Sequence, residues 1–299
     1  MAYDAIETPF GKREKIVGGS AVYVAYAAAN FVKPINLISI IGNDFEEAEI
    51  KALESKGASF KGVERIKDKK SFFWSGRYHL DMNTRDTLVT DLNVLGDFNP
   101  IVPDSFQDSD FLMLGNLHPA TQISVIGQMK TRPHLIAMDT MNYWISSAMK
   151  DLKKVLGMVD VLLVNDAEAR ELTGDYSIVK AARKIMEMGP KFLVIKKGEH
   201  GALLFHANEV FFAPALPLED VFDPTGAGDT FAGGFMGHLA RTKDISFENM
   251  KTAIIIGSAM ASFCVEKFGP ERLKEISKSE IDDRIRQFIS LVNFDISLV

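Results

Sequence analysis

The stretch "DPTGAGDTFAGGF", residues 223–235, packs two acids, two hydroxyls and four glycines into thirteen residues. A helix entered at Gly226 leaves the amides of Gly226, Ala227 and Gly228 as first-turn donors at the positive end of its dipole. Small residues let an anion approach such amides closely. Asp229 stands among them, and a carboxylate there repels phosphate unless it has a task. Phosphoryl transfer to an alcohol supplies one: a base takes the hydroxyl proton while the donors stabilise charge on the moving group. The plainer reading has Asp223 capping the helix, Pro224 in its first position and the glycines serving packing.

Two common nucleotide motifs are excluded. No glycine is followed by Lys and then Ser or Thr, and "GAGDTF" has Phe231 where a dinucleotide fingerprint has its third glycine.

Upstream, apolar runs rich in Val, Ile and Leu lie at 35–41, 110–117, 134–140, 160–165 and 191–197. They lack clean alternation, as strands buried on both faces do. Helical patterns lie between them, near 20–31, 44–56, 119–130, 146–156, 166–173 and 178–188. This rhythm predicts an α/β fold with a doubly wound, mostly parallel central sheet covered by helices. "GALLFHANEVFFAP" reads as a hairpin turning at "HAN", and three further helices are expected near 226–241, 246–266 and 279–293. Residues 58–95 alternate polar and apolar types and read as an antiparallel excursion. With residues 4–17 they predict a small antiparallel β lid, from about 4–17 and 60–95, over the strand ends where α/β folds bind ligands. The whole chain, 1–299, reads as one domain.

A net charge of -6 gives no footprint for nucleic acid, and no basic cluster points to a membrane surface. The single cysteine, Cys264, fits a reducing, cytoplasmic setting and reads as core packing. No apolar run is long enough for a membrane span.

The 223–235 stretch resembles the signature of the ribokinase-like (PfkB) carbohydrate kinase family, whose core at this place reads D-T-G-A-G-D. Further segments resemble that family in its order: "VGGSAVYVAYAAANF" (17–31), "IIGNDF" (40–45), "DTMNYW" (139–144), "VNDAEARELTG" (164–174) and "IKKGEHGALLF" (195–205). The resemblance covers nearly the whole chain. It implies a ribokinase-like fold and an ATP-dependent kinase acting on a hydroxyl of a sugar or a nucleoside. A catalytically silent ligand sensor is the alternative from another class, which an intact Asp229, Asn165 and Glu168 argue against.

By matching position, the resemblance implies Asp229 as catalytic base, with Gly226, Ala227 and Gly228 as the anion hole. Asn165 and Glu168 would help hold Mg²⁺ and phosphate through water. Lys196, Gly198, Gly201 and Thr225 would line the nucleotide. Asp4, Gly18 and Gly19 would meet the substrate, and Asp223 a monovalent cation such as K⁺. Asn116, Asn142 and Tyr23 are further candidate substrate contacts; Tyr23 departs from the Asn that many members carry. Family members also have a hydrophobic strand before the residue matching Asp4, where this sequence has only "MAY". Arg77 and Arg85 in the lid either steer phosphate or pair with Asp81 and Asp86. The aromatic residues Phe72, Phe73, Trp74 and Tyr78 either cover a substrate or pack the lid, and a homodimer through the lid is compatible with them.

Overall fold

The computed structural model describes residues 1–293 of the 299-residue chain. From the N-terminus it runs β1 (Ala2–Thr8), β2 (Gly11–Gly18), α1 (Ser20–Ala28), β3 (Ile35–Gly42), α2 (Glu47–Ser55), β4 (Ala58–Ile66), β5 (Phe72–Tyr78) and β6 (Arg85–Asp91). It continues β7 (Phe111–Leu114), α3 (Pro119–Gly127), β8 (Leu135–Asp139), α4 (Asn142–Ser147), α5 (Met149–Leu156), β9 (Val161–Asn165), α6 (Asp166–Thr173) and α7 (Ile178–Met186). Last come β10 (Phe192–Lys196), β11 (Ala202–His206), β12 (Glu209–Ala213), α8 (Ala227–Thr242), α9 (Phe247–Cys264), α10 (Glu271–Glu275) and α11 (Lys278–Val292).

The apolar runs behave as strands buried on both faces. Leu135–Met138 and Val161–Val164 have no solvent exposure at all. Side chains alternate between two cores. Ile136, Met138, Leu162, Val164, Leu193 and Ile195 pack with α3, α5, α6 and α7. Leu135, Ala137, Val161, Leu163 and Val194 pack with α8 and α9. The central sheet runs β12-β11-β10-β9-β8-β7. Its β7 to β10 pair in parallel, while β11 and β12 add an antiparallel hairpin at one edge. The fold is therefore α/β with a mostly parallel central sheet.

Four expectations need correction. Residues 58–66 do not open an antiparallel excursion: β4 pairs in parallel with β3 in a two-stranded sheet of its own. Among the described residues no ladder joins β3 to the six-stranded sheet, so the 35–41 run does not enter it. The expected lid segments form a four-stranded sheet, β2-β1-β5-β6, that is mixed and not purely antiparallel, because β1 and β5 run parallel. Alternating polarity says which face a strand buries. It does not reveal its partner, which a distant segment supplies. The helix expected over 146–156 is likewise two, α4 and α5, broken at Ala148 with φ -133° and ψ 29°.

Among the described residues no helix is long and apolar enough to cross a membrane.

The small residues of "TFAGGFMG" set the position of α8. A Cβ on Gly233 would fall 2.6 Å from the Val24 carbonyl oxygen and 2.7 Å from Ala27 Cβ; one on Gly237 would fall 2.9 Å from Ala28 Cα. The helices α1 and α8 thus meet backbone to backbone. This close approach brings Gly18 and Gly19, just before α1, beside the start of α8. In an open helix Gly→Ala gains up to about 1 kcal/mol. At Gly233 the clash should outweigh that gain, and Gly233→Ala should destabilise the protein by about 1–3 kcal/mol. Gly127→Ala, whose Cβ meets nothing within 4 Å, is the matched control expected to be neutral or stabilising. Urea unfolding of both variants checks this.

Candidate active site

The strands β8, β9 and β10 lie side by side and end in Asp139, Asn165 and Lys196. Lys196 and Asn165 are register partners. The Lys196 ammonium donates to Asp139 Oδ2 at 2.9 Å, with 17% and 9% of the two side chains exposed. A buried pair of this kind is sustained only by close geometry and further neighbours. The neighbours are acids: Asp139 and Glu168 raise the Lys196 pKa, against its burial, and Asp229 adds to them.

Asn165 caps α6. Its side-chain oxygen accepts from the Glu168 amide at 2.8 Å, and Glu168 Oε2 accepts from the Asn165 amide at 2.8 Å. This reciprocal capping box closes the helix start. The N-cap is Asn165 itself, and Asp166 is the first residue of the helix. The box also turns the Glu168 carboxyl toward the strand ends. Burial and then Asp139 push its pKa up to about 7, opposed by Lys196.

Helix α8 delivers the second half of the cluster. Gly226 is its N-cap in the left-handed region at φ 77°. A Cβ there would also collide with the ring of Tyr23. The Ala227 amide, expected to be free, donates to the Pro224 carbonyl at 3.2 Å, because the left-handed Gly226 closes a turn between them. No oxygen of the described residues accepts from the amides of Gly226, Gly228 or Asp229. A Cβ on Gly228 would lie 3.1 Å from Lys196 Nζ, so the ammonium stands over these amides. Beside them is Asp229. Its pKa is raised to about 6, first by burial and then by Asp139, with the Ser20 hydroxyl and Lys196 pulling it back.

Asp223 does not cap α8. Its carboxylate accepts from the Thr225 amide at 2.9 Å and from the Gly269 amide at 2.8 Å, so it clamps the loop to the α9–α10 turn. Asp4 folds over Gly18, occupying the space a Cβ there would need. Its pKa rises to about 7, mainly through burial and secondly through Asp223. Gly19 takes φ 84°. Tyr23, a candidate substrate contact, is 1% exposed and is packed beneath Gly226. It forms the floor under the loop instead of facing open space, because its ring fills the gap that Gly226 leaves.

Gly198 and Gly201 form the turn after β10 at φ 56° and 82°. The Thr225 hydroxyl donates to the Tyr78 hydroxyl at 3.1 Å, which ties β5 to this loop. The Asn116 carboxamide is engaged by the Trp144 indole, whose N–H donates to it at 2.9 Å, and by Met141. Asn142 opens α4 on the surface, away from these bonds.

Sequence reasoning missed Asp139 and Ser20. Asp139 had a signal: a carboxylate closing an otherwise apolar strand, "LIAMD", at the sheet's ligand-binding edge. Ser20 had none, since its position beside Asp229 depends on how α1 meets α8.

Chemistry on an anionic group needs donors and a cation where its charge gathers, and a base for the incoming nucleophile. This strand edge supplies them, and the protein is a phosphotransferase. It belongs to the family of pfkB carbohydrate kinases, whose model matches residues 6–276. It is 28% identical over 273 residues to the cytidine kinase of Thermococcus kodakarensis, covering 90% of this chain and 95% of that one. It is 25% identical to the nucleoside kinase of Methanothermobacter thermautotrophicus, covering 88% and 83%. Among solved structures, a putative ribokinase II from E. coli in complex with ATP and Mg²⁺ superposes with a TM-score of 0.77 at 19% identity, over 97% of this chain and 96% of that one. That likeness is one of fold.

Removing the cation exposes how the cluster is balanced. Lys196→Met leaves the buried Asp139 carboxylate unpaired, a loss of about 3–5 kcal/mol. Carboxyls whose folded pKa is raised hold protons more tightly in the fold than in the unfolded chain. They therefore favour folding at low pH and lose that contribution as pH rises through about 6 for Asp229 and about 7 for Glu168. The stability gap between wild type and Lys196→Met should be small at pH 5 and widen by pH 8, as urea titrations at the two pH values will read.

Proposed function

We propose that this chain transfers the γ-phosphoryl group of ATP to a ribose hydroxyl of a nucleoside. The observation that carries the reading is Asp229: a buried carboxyl with a pKa near neutrality, next to free helix amides and under Lys196. A group meant only to bind phosphate gains nothing from a carboxylate there. Asp229 takes the acceptor's hydroxyl proton as the acceptor oxygen bonds to the γ-phosphorus. The bond from that phosphorus to the β–γ bridging oxygen breaks, and its electron pair leaves with ADP. The amides of Gly226, Gly228 and Asp229, with Lys196, hold the charge on the transferring oxygens. Ala227 serves the turn that aims them.

Lys196, Thr225, Asn165 and the turn at Gly198 and Gly201 lie along the proposed path of the nucleotide, and Asp4, Gly18 and Gly19 along that of the acceptor. Among the described residues no cluster of three or more His, Cys, Asp or Glu side chains is arranged to hold a metal ion. That suits Mg²⁺, which keeps its waters and rides on the phosphates with help from one or two carboxylates. Glu168 would hold it through water, since among the described residues the cap engages only its Oε2 and leaves Oε1 unbonded, and a cation held there would supply positive charge toward the β- and γ-phosphates. Both oxygens of Asp223 already accept from backbone amides. A monovalent cation such as K⁺ would add to that clamp through the remaining lone pairs. A dimer through the lid would cover Leu88 and Val89 of β6, which are 49% and 41% exposed. The buried Cys264 and the net charge of -6 are in keeping with the cytoplasmic setting expected from the sequence.

The nucleoside is favoured over a free sugar by the two relatives matched over most of the chain, a cytidine kinase and a nucleoside kinase. A screen of ATP consumption against cytidine, other nucleosides, ribose and fructose decides it. Nucleosides should give the highest kcat/KM; turnover with sugars alone would transfer the reading to a sugar kinase.

Asp229→Asn should keep the fold and ATP binding and lose turnover by ~10²–10⁴. In the wild type kcat/KM should rise with pH through about 6 and then level off, because only the ionised Asp229 accepts the proton. Near-normal turnover in the Asn variant would remove the residue from this role.

A further inference from the structure

The parallel ladder between β7 and β8 ends where Leu114 pairs with Met138. The next rung is made by a side chain. From α3, Gln122 Nε2 donates to the Gly115 carbonyl at 2.9 Å and to the Asp139 carbonyl at 3.1 Å. Two carbonyl acceptors fix which end of the carboxamide faces the strands. Gln122 is 2% exposed, and its Oε1 has no partner among the described residues. A buried carboxamide with an unmatched oxygen is costly if it serves packing alone, so its two donated bonds need a use. The two strand exits it joins lead to groups that act on Asp229 in opposite senses. Asp139 raises the Asp229 pKa, and the Ser20 hydroxyl lowers it. Ser20 opens α1 and packs on Gly115: a Cβ on Gly115 would fall 3.2 Å from Ser20 Cβ and 3.8 Å from Ser20 Oγ. The exits are not equally fixed. Asp139 pairs with Leu163 of β9, binds Lys196 and accepts from the Thr140 amide. Gly115 lies just past β7, the edge strand of its sheet, and among the described residues its carbonyl otherwise meets only the Leu117 amide.

We propose that Gln122 is a positioning residue of the phosphotransfer site: by holding the Gly115 exit against the fixed end of β8, it keeps the Ser20 hydroxyl within reach of the Asp229 carboxylate. The proposal rests on the reading of Asp229 as the base. Without the brace, the Gly115 exit and Ser20 are free to shift, while Asp139 stays in its ladder. Asp229 then loses a donor to its charged form and keeps both its burial and the repulsion of Asp139. The other groups that face it are Lys196 from β10, Asp4 and the Met1 amino group at β1, Tyr23 of α1 and Cys264 of α9. None of these is bonded to Gln122. Losing the donor therefore raises the pH at which Asp229 ionises. The base also loses one of the contacts that aim it at the acceptor hydroxyl.

The test compares wild type, Gln122→Met and Gln128→Met, with Mg·ATP and the best acceptor of the screen varied in turn. Gln128 is the control, a second glutamine at the other end of α3 that bonds Val102, Pro100 and Ser124. Both variants should lose melting temperature. Only Gln122→Met should lower kcat, by ~10-fold, with the KM for Mg·ATP within about threefold of wild type. Its kcat/KM should rise with pH through a midpoint ~0.5–1 unit above that of wild type. Gly115→Ala displaces Ser20 by its own Cβ and leaves Gln122 intact; it should move the midpoint the same way. An unshifted midpoint in Gln122→Met, or an equal shift in Gln128→Met, would overturn the proposal. Should Gln122→Met fail to fold, Gly115→Ala decides, and an unshifted midpoint there overturns it. If wild type phosphorylates no acceptor, the kinase reading falls by itself. A ¹³C-carboxyl NMR titration of Asp229, assigned with Asp229→Asn, then reads the midpoint without turnover; it should be higher in Gln122→Met, and an equal value overturns the brace.

Discussion

One buried ammonium holds the site's charges in balance. Lys196 lies among Asp139, Glu168 and Asp229, and after burial itself it is Asp139 that makes Glu168 and Asp229 harder to ionise. Without a cation, three carboxyls at the end of a hydrophobic sheet would be desolvated and mutually repelling. With one, burial still holds Glu168 at about 7 and Asp229 at about 6, a range in which a carboxyl can gain or release a proton at little cost. The same ammonium projects over the amide of Gly228 and so adds to the helix dipole. The chemistry of this end of the sheet therefore depends on a lysine whose register is fixed by the parallel pairing of β9 and β10.

The glycines near the site are best understood by what occupies the room they leave. Asp4 fills the space over Gly18, the Tyr23 ring that beside Gly226, and the Trp74 ring that over Gly76. The loop at 223–235 is consequently rigid. Gly226 is backed by a fully buried ring, Asp223 is bonded to two amides, and α8 is locked onto α1 through Gly233 and Gly237. Rigid donors aimed where charge develops need no rearrangement during reaction, which is the main source of electrostatic catalysis.

Much of this was legible beforehand. Asp229, Asn165, Glu168 and Lys196 were named from their motifs and do meet at one edge of the sheet. Two of the expected details changed for local reasons. The Ala227 amide is consumed by a turn, and Tyr23 turned inward, where a large ring is cheaper to bury than to leave in a polar cleft. Asp139 was overlooked although it closes an apolar strand at the sheet's ligand-binding edge, and Arg85 was ambiguous because two acids lie near it in sequence.

The sequence by itself determined what depends on local periodicity and on short motifs. Apolar runs without alternation gave strands buried on both faces, and "DPTGAGDTFAGGF" gave a helix start with free amides and a carboxylate. Only the tertiary structure decided which strands pair and which charges meet. β4 joins β3 instead of the lid, β1 lies parallel to β5, and Lys196 finds Asp139 from 57 residues away. Backbone pairing and buried ion pairs are made between segments whose separation along the chain encodes nothing about their distance in space. Their partners are selected by the packing of the whole core, and the sequence expresses that selection only once it has folded.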